Sequence, residues 1–127
     1  MFLRLLVLAG AVGALYAAWQ LWRRPPARLQ SLDLPALGVG GPAVVQFTSA
    51  ACGPCRAAAP KLAEAADRAG VRFAQVDVGE RPDMASRYGI RTLPTIVVAD
   101  AGGEVMEAWT ALPGDGALEE AVRRASE

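Results

Sequence analysis

Residues 48–62 read TSAACGPCRAAAPKL and hold both cysteines of the chain, Cys52 and Cys55, with Gly53 and Pro54 between them. Just before them, AVVQF (43–47) is a short apolar run with β-branched residues, which predicts a buried strand. Just after them, Ala58, Ala59, Leu62, Ala66 and Ala69 recur at helical spacing. A helix is therefore expected as far as Ala69, kinked at Pro60 and ended by Gly70. VRFAQVDV (71–78) predicts a second strand. Strand, helix and strand in this order make a right-handed crossover and a parallel pair.

That order places Cys52 where the first strand ends and the helix begins. Unpaired backbone N–H groups at such a point favour negative charge. The thiolate is the reactive form of cysteine, and this location lowers the thiol pKa from about 8.5. Cys55 lies one helical turn on, within reach of Cys52 and more buried. Gly53 permits the tight turn, and Pro54 fixes φ without sacrificing an N–H that the helix would use. The result is a dithiol that can close to a disulfide with little rearrangement, as thiol–disulfide exchange requires. A lone Cys-x-x-Cys is equally half a zinc site; the strand, helix and strand around it favour exchange.

Working outward, RPDMASRYG (81–89) predicts a short helix closed by Gly89. TIVVAD (95–100) and EVMEAW (104–109) flank AGG as a hairpin. DGALEEAVRRA (115–125) predicts a closing amphipathic helix with Asp115 as its N-cap. The chain has 127 residues and zero formal net charge, which bounds it to one domain and gives no case for nucleic acid. It has no histidine, which removes Cys-His and Ser-His catalysis and imidazole metal ligands.

The N-terminal stretch reads differently. FLRLLVLAGAVGALYAAWQLW (2–22) is broken only by Arg4 and Gln20, and as a helix it would span roughly 30 Å, the thickness of a bilayer core. Tyr16, Trp19 and Trp22 gather near its end, where amphipathic rings meet a membrane interface. A cleaved signal peptide is the alternative; the length of the run and the lack of a small-x-small site before the arginines favour an anchor over 1–24. Arg23, Arg24 and Arg28 outnumber Arg4 and place the following domain in the cytoplasm, the extracytoplasmic side being the alternative. Residues 25–42 are the expected linker: Pro25 and Pro26 stop the helix, ARLQSLDL (27–34) is a possible edge strand, and Gly38, Gly40, Gly41 and Pro42 mark a loop. The domain proper is expected over 43–127.

VVQFTSAACGPCRAAAPKL resembles the active-site segment of the thioredoxin family, including the proline five residues after the second cysteine. YGIRTLPTIVV resembles that family's cis-proline loop, and GGEVMEAWTALPGDGALEEAV its final hairpin and helix. The resemblance covers about residues 43–125 and implies an α/β fold: a central mixed sheet with flanking helices and a shortened N-terminal part. It also implies roles. Cys52 is the nucleophile that forms a mixed disulfide with a substrate, and Cys55 is the resolving thiol. Pro94, after a cis Leu93–Pro94 bond, lies against the disulfide and leaves the backbone of Leu93 free to pair with an extended substrate; Gly53 and Pro54 complete the substrate-binding set.

Departures from the family pattern stand beside these likenesses. Where the family carries a buried Asp, six residues before the first cysteine, this chain has Gln46; where that Asp often meets a Lys on the next strand, it has Gln75. Two amides can hydrogen-bond each other, whereas one buried charge left alone is costly. Gln46 cannot titrate, so proton loss from Cys55 is expected to rely on water or on the departing thiolate. Ala51 replaces the Trp that commonly precedes the motif, and Thr110, beside Trp109, replaces a Gly after the last strand. Both positions flank the family's substrate groove, which suggests a different client set.

The leading expectation is a membrane-tethered, monomeric protein-disulfide reductase. It has no cofactor beyond the Cys52–Cys55 couple, and its partners are disulfide-containing client proteins, a thiol electron donor and the bilayer around residues 2–22. A non-turnover interaction module is one alternative. A metal-binding module is another; without histidine or a third cysteine it needs a second chain or a soft two-coordinate metal.

Overall fold

The computed structural model describes residues 1–22 and 29–127. Arg23, Arg24 and Arg28, on which the orientation reading depends, and the Pro25–Pro26 stop lie outside the described residues.

Helix α1 spans Phe2–Trp22, and none of its residues is buried. It is long and apolar enough to cross a membrane, which makes it a candidate transmembrane span. Its apolar side chains go all round the helix and leave no polar face, unlike a helix built to lie on a soluble core.

The remaining elements are β1 (Ala43–Thr48), α2 (Gly53–Ala69), β2 (Arg72–Asp77), α3 (Pro82–Tyr88), β3 (Thr95–Ala99), β4 (Val105–Trp109) and α4 (Asp115–Ser126). They form a mixed four-stranded sheet in the order β2-β1-β3-β4. β1 runs parallel to β2 and antiparallel to β3, and β3 runs antiparallel to β4. This is the thioredoxin-like fold that the resemblance implied. The parallel β1–β2 pair follows from the helical crossover, and the antiparallel β3–β4 pair from the short Asp100–Gly103 turn.

β1 and β3 occupy the middle of the sheet and are buried almost throughout. Side chains alternate across the sheet, so each central strand feeds two cores. Val44, Ile96 and Val98 pack with Ala58, Leu62 and Ala66 of α2 and with Leu118, Ala121 and Val122 of α4. Val45, Phe47, Val97 and Ala99 pack on the opposite face with Met84 and Tyr88 of α3. Leu29, Leu32, Leu34 and Val39 join this second cluster. The stretch read as a linker thus carries four core residues.

Two local readings change. The possible edge strand over 27–34 shrinks, among its described residues, to one bridge, Ser31 opposite Glu104. Leu32 N–H donates to the Gly103 carbonyl and Val105 N–H to the Gln30 carbonyl. The pairing stops there because Asp33 Oδ1 accepts from the Ala36 N–H and Pro35 opens a 3-10 turn over Pro35–Leu37, which takes the chain out of the extended conformation. Asp115 is not the N-cap of α4. Gly114 holds that position in an extended conformation and no side chain caps it, so Asp115 falls within the first turn, where its charge still suits the helix dipole. As expected, α2 is one helix with Pro60 inside it. Gly70 and Gly89 end α2 and α3 in the left-handed region, at φ 69° and 65°, as expected.

Candidate active site

β1 ends at Thr48, and the chain turns once before α2: Cys52 N–H donates to the Ser49 carbonyl. Cys52 is then the N-cap of α2 in an extended conformation. Its Sγ accepts from the Cys55 N–H at 3.2 Å, the place a Ser or Asp oxygen takes at other helix starts. Gly53 and Pro54 form the first helical positions, where a missing N–H costs nothing. Cys52 and Cys55 are joined by a disulfide, with their Cα atoms 5.3 Å apart. Cys55 is fully buried and Cys52 half-buried, so of the two residues Cys52 is the one with surface open to solvent.

Leu93–Pro94 is a cis peptide bond, leading directly into β3. Thr95 Oγ1 donates to the Thr92 carbonyl at 2.6 Å and closes this loop on itself. A groove of about 460 Å³ is lined by Pro54, Ala57 and Lys61 of α2, by Leu93 and Pro94, and by Thr110 and Leu112. The structure thus brings Pro54, Leu93, Pro94 and Thr110 together. Ala51 is exposed but is not among the residues of this lining, and Trp109 is half-buried, packing into the α2–α4 core. Arg56 and Arg91 face solvent. Ala57 and Lys61 were missed as groove residues. Their spacing from Pro54, three and seven residues along one helix, is the stripe that marks them.

Behind the disulfide lies Gln46, with no exposed surface. Alternation along β1 points it, with Val44, toward α2. Its Nε2 donates to the Cys55 carbonyl at 2.8 Å, and its Oε1 accepts from Gln75 Nε2 at 3.0 Å. Gln75 stands opposite it in the β1–β2 register. The amide–amide bond was legible in sequence; the bond to Cys55 was not, because it depends on how closely the first turn of α2 approaches β1.

A disulfide on the first turn of the helix that follows the central strand, beside a cis-proline loop, defines a redox protein of the thioredoxin fold. The thioredoxin family model matches residues 39–123, more than half of the chain. The chain is 46% identical over 68 residues to Thioredoxin Asp f 28 of Aspergillus fumigatus, a match covering 53% of this chain and 63% of that one. It is 42% identical over 71 residues to Thioredoxin-2 of Pyricularia oryzae, covering 55% of this chain and 42% of that one. Among solved structures, a point-mutant thioredoxin from Halobacterium salinarum aligns with a TM-score of 0.64 at 29% identity, covering 75% of this chain and 84% of that one. The chain belongs to the thioredoxin family. It spans between about two fifths and two thirds of the length of the two curated relatives named here.

Proposed function

We propose that the protein is a membrane-tethered thiol–disulfide oxidoreductase that reduces disulfides of client proteins. The observation that carries this reading is the Cys52–Cys55 disulfide at the N-terminus of α2, with Cys52 partly exposed and Cys55 buried, and with Pro54 between them lining the Leu93–Pro94 groove. In the reduced form, the first-turn N–H groups of α2 favour the Cys52 thiolate. That thiolate attacks a client disulfide R–S–S–R′, forming Cys52–S–S–R and releasing R′S⁻. Cys55, having lost its proton, attacks Cys52 Sγ; the bond between Cys52 Sγ and the client sulfur breaks, and RS⁻ leaves and is protonated. Two electrons have passed from the dithiol to the client, with no other cofactor. A thiol donor returns the disulfide to the dithiol. The client lies extended in the groove, its backbone pairing with Leu93.

Residues 2–22 anchor the chain in the bilayer. The tether holds the dithiol close to the membrane and raises its effective concentration toward clients and donors that reside there. The basic residues after the span support a cytoplasmic domain, in a compartment where thiols are kept reduced and a reductase is the working form.

Insulin reduction with dithiothreitol as donor tests the chemistry. The expected result is catalysis by the intact protein and its loss, by about a hundredfold or more, in Cys52→Ser; insulin reduced no faster by the intact protein than by dithiothreitol alone would overturn the reading. Reporter fusions at the C-terminus, one active only in the cytoplasm and one only outside it, test the topology. Metal content of protein purified without chelator separates exchange from metal binding, a stoichiometric metal with no insulin reduction being the contrary outcome.

A further inference from the structure

Among the described residues, the buried polar side chains are Gln46 and Thr95. Thr95 closes its own loop, whereas Gln46 reaches across to another element. The bond from its amide to the Cys55 carbonyl joins the middle of the central strand to the first turn of the helix that carries both sulfurs. The Cys55 side chain and carbonyl belong to one residue, so fixing the carbonyl restricts where Sγ can swing when the disulfide is open. Gln75 holds the other end of the Gln46 amide and sets which way it faces.

We propose that Gln46, oriented by Gln75, is the positioning residue for the second half of the exchange: it holds the backbone of Cys55 so that its sulfur closes on the mixed disulfide at Cys52. The inference rests on the exchange reading above. It concerns the step in which Cys55–SH loses its proton to water, Cys55–S⁻ attacks Cys52 Sγ, and RS⁻ departs and takes up a proton, so that Cys52–S–S–R and Cys55–SH become the Cys52–Cys55 disulfide and RSH.

Because both amides are uncharged, the clamp holds at any pH that leaves the protein folded. The other charged groups on the elements packed around Cys55 are solvent-facing or already bonded. Arg56 and Lys61 of α2 and Arg91 of the loop before β3 are exposed. Asp77 of β2 is half-buried, and its Oδ1 accepts from the Gly79 and Glu80 N–H groups. The closing step in the native protein therefore follows one ionisation, that of the Cys55 thiol. Gln46→Glu changes this. As a neutral acid, the new side chain can donate its O–H to the Cys55 carbonyl and keep the clamp. As a carboxylate, it has no donor and sets two acceptors against each other. Burial raises its pKa, so the clamp is present at low pH and lost as pH rises through that raised value.

The test is stopped-flow reaction of the reduced full chain, in detergent, with dithiobis(nitrobenzoate). Two successive releases of coloured thiolate are expected: the first reads attack by Cys52, the second closure by Cys55. In Gln46→Ala, the second phase should slow about tenfold and the first less than threefold. In Gln46→Glu, the second-phase rate divided by the native rate at the same pH should be near one at low pH and fall toward the Gln46→Ala ratio as pH rises, whereas the Gln46→Ala ratio should not vary with pH. Gln75→Ala, an exposed position that spares the core, should slow the second phase by a few-fold and keeps the test alive if Gln46→Ala does not fold. A second phase indifferent to Gln75→Ala and native in its pH profile in Gln46→Glu would overturn the clamp while leaving the exchange reading intact. Absence of both phases in the native protein would overturn the two together.

Discussion

On one face of the sheet, Val44, Gln46, Ile96 and Val98 lie under α2 and α4, helices of 17 and 12 residues. On the other, Val45, Phe47, Val97 and Ala99 lie under α3, a helix of 7 residues, and under the irregular segment 29–39. The first face carries the chemistry, and its helices are held by periodic apolar stripes. The second face has no long helix, and its closure is a matter of single contacts. Leu29, Leu32 and Leu34 drop into the core, Tyr88 packs on Phe47 with ring centroids 5.9 Å apart, and Tyr88 OH accepts from the Asp33 N–H at 3.0 Å. The difference teaches that burial and regularity are separate properties. A segment with no hydrogen-bonded ladder of its own can be as much a part of the core as a helix.

The widest test of that statement sets Leu62 against Leu32. Leu62 is fully buried on α2 and Leu32 is 4% exposed in the irregular segment. Truncating a buried leucine to alanine removes transfer energy and leaves a cavity, at about 2–5 kcal/mol. Both Leu62→Ala and Leu32→Ala are expected to fall in that range and to lower Tm by roughly 10 °C or more. Thermal unfolding followed by circular dichroism measures this. A Leu32→Ala protein that melts with the native one would show that 29–39 is a linker resting on the domain and would break the comparison.

Gly103 offers a smaller effect at the seam between that segment and the hairpin. It has φ 84°, its carbonyl accepts from Leu32 N–H at 2.7 Å, and a Cβ there would run into the Leu32 carbonyl. Gly103→Ala therefore meets both an unfavourable backbone and a clash, and should cost about 1–3 kcal/mol. Gly102→Ala next door is the control. It has ordinary φ, its nearest neighbour is Asp100 Oδ1 at 3.4 Å, and little change is expected. Equal melting of the two variants would show that the seam yields freely.

The helix-bearing face was legible in the sequence because its signals are periodic or punctuating. Ala58, Leu62 and Ala66 repeat at helical spacing, Gly70 stops α2, and β-branched runs mark β1 and β3. The Cys52 position followed from the junction of two such elements. Segment 29–39 gives no such signal. Leu29, Leu32, Leu34 and Val39 are spaced by three, two and five residues, which fits neither helix nor strand, and the neighbouring Gly and Pro residues read as loop. Asp115 misled for a related reason: Asp is a favoured cap, but Gly114 was already extended and took the position. In the site, residue types announced the dithiol and the amide pair. The Gln46 bond to Cys55 and the Ala57–Lys61 wall of the groove depend on distances between elements, which one-dimensional spacing does not contain.

Tyr88→Phe sharpens the comparison further. It keeps the ring against Phe47 and removes only the acceptor for Asp33 N–H. The loss should be about 1 kcal/mol, the net worth of such a bond, and larger only if no water reaches the stranded N–H. Denaturant unfolding at constant slope resolves it. A result of zero would mean that apolar contacts alone hold the segment.

The smallest expected effect comes from Arg87, which meets Asp33 Oδ2 at 3.2 Å and lies 5.5 Å from the centre of the Tyr88 ring. The side chains of Arg87 and Asp33 are 50% and 43% exposed, so water screens the pair and its worth is about 0.2–1 kcal/mol. A double-mutant cycle of Arg87→Ala with Asp33→Asn isolates it. Asn retains a side-chain oxygen for the Ala36 N–H that Asp33 Oδ1 accepts, so the turn at Pro35 is preserved while the charge is removed. The coupling should shrink further in about 1 M salt, where the screening length is about 3 Å. A coupling that exceeded that range and survived salt would mean that charge, more than leucine burial, fastens the segment to the sheet. The irregular face would then be closed by a different physical means from the helical one, and Leu32→Ala would be expected to cost less than Leu62→Ala.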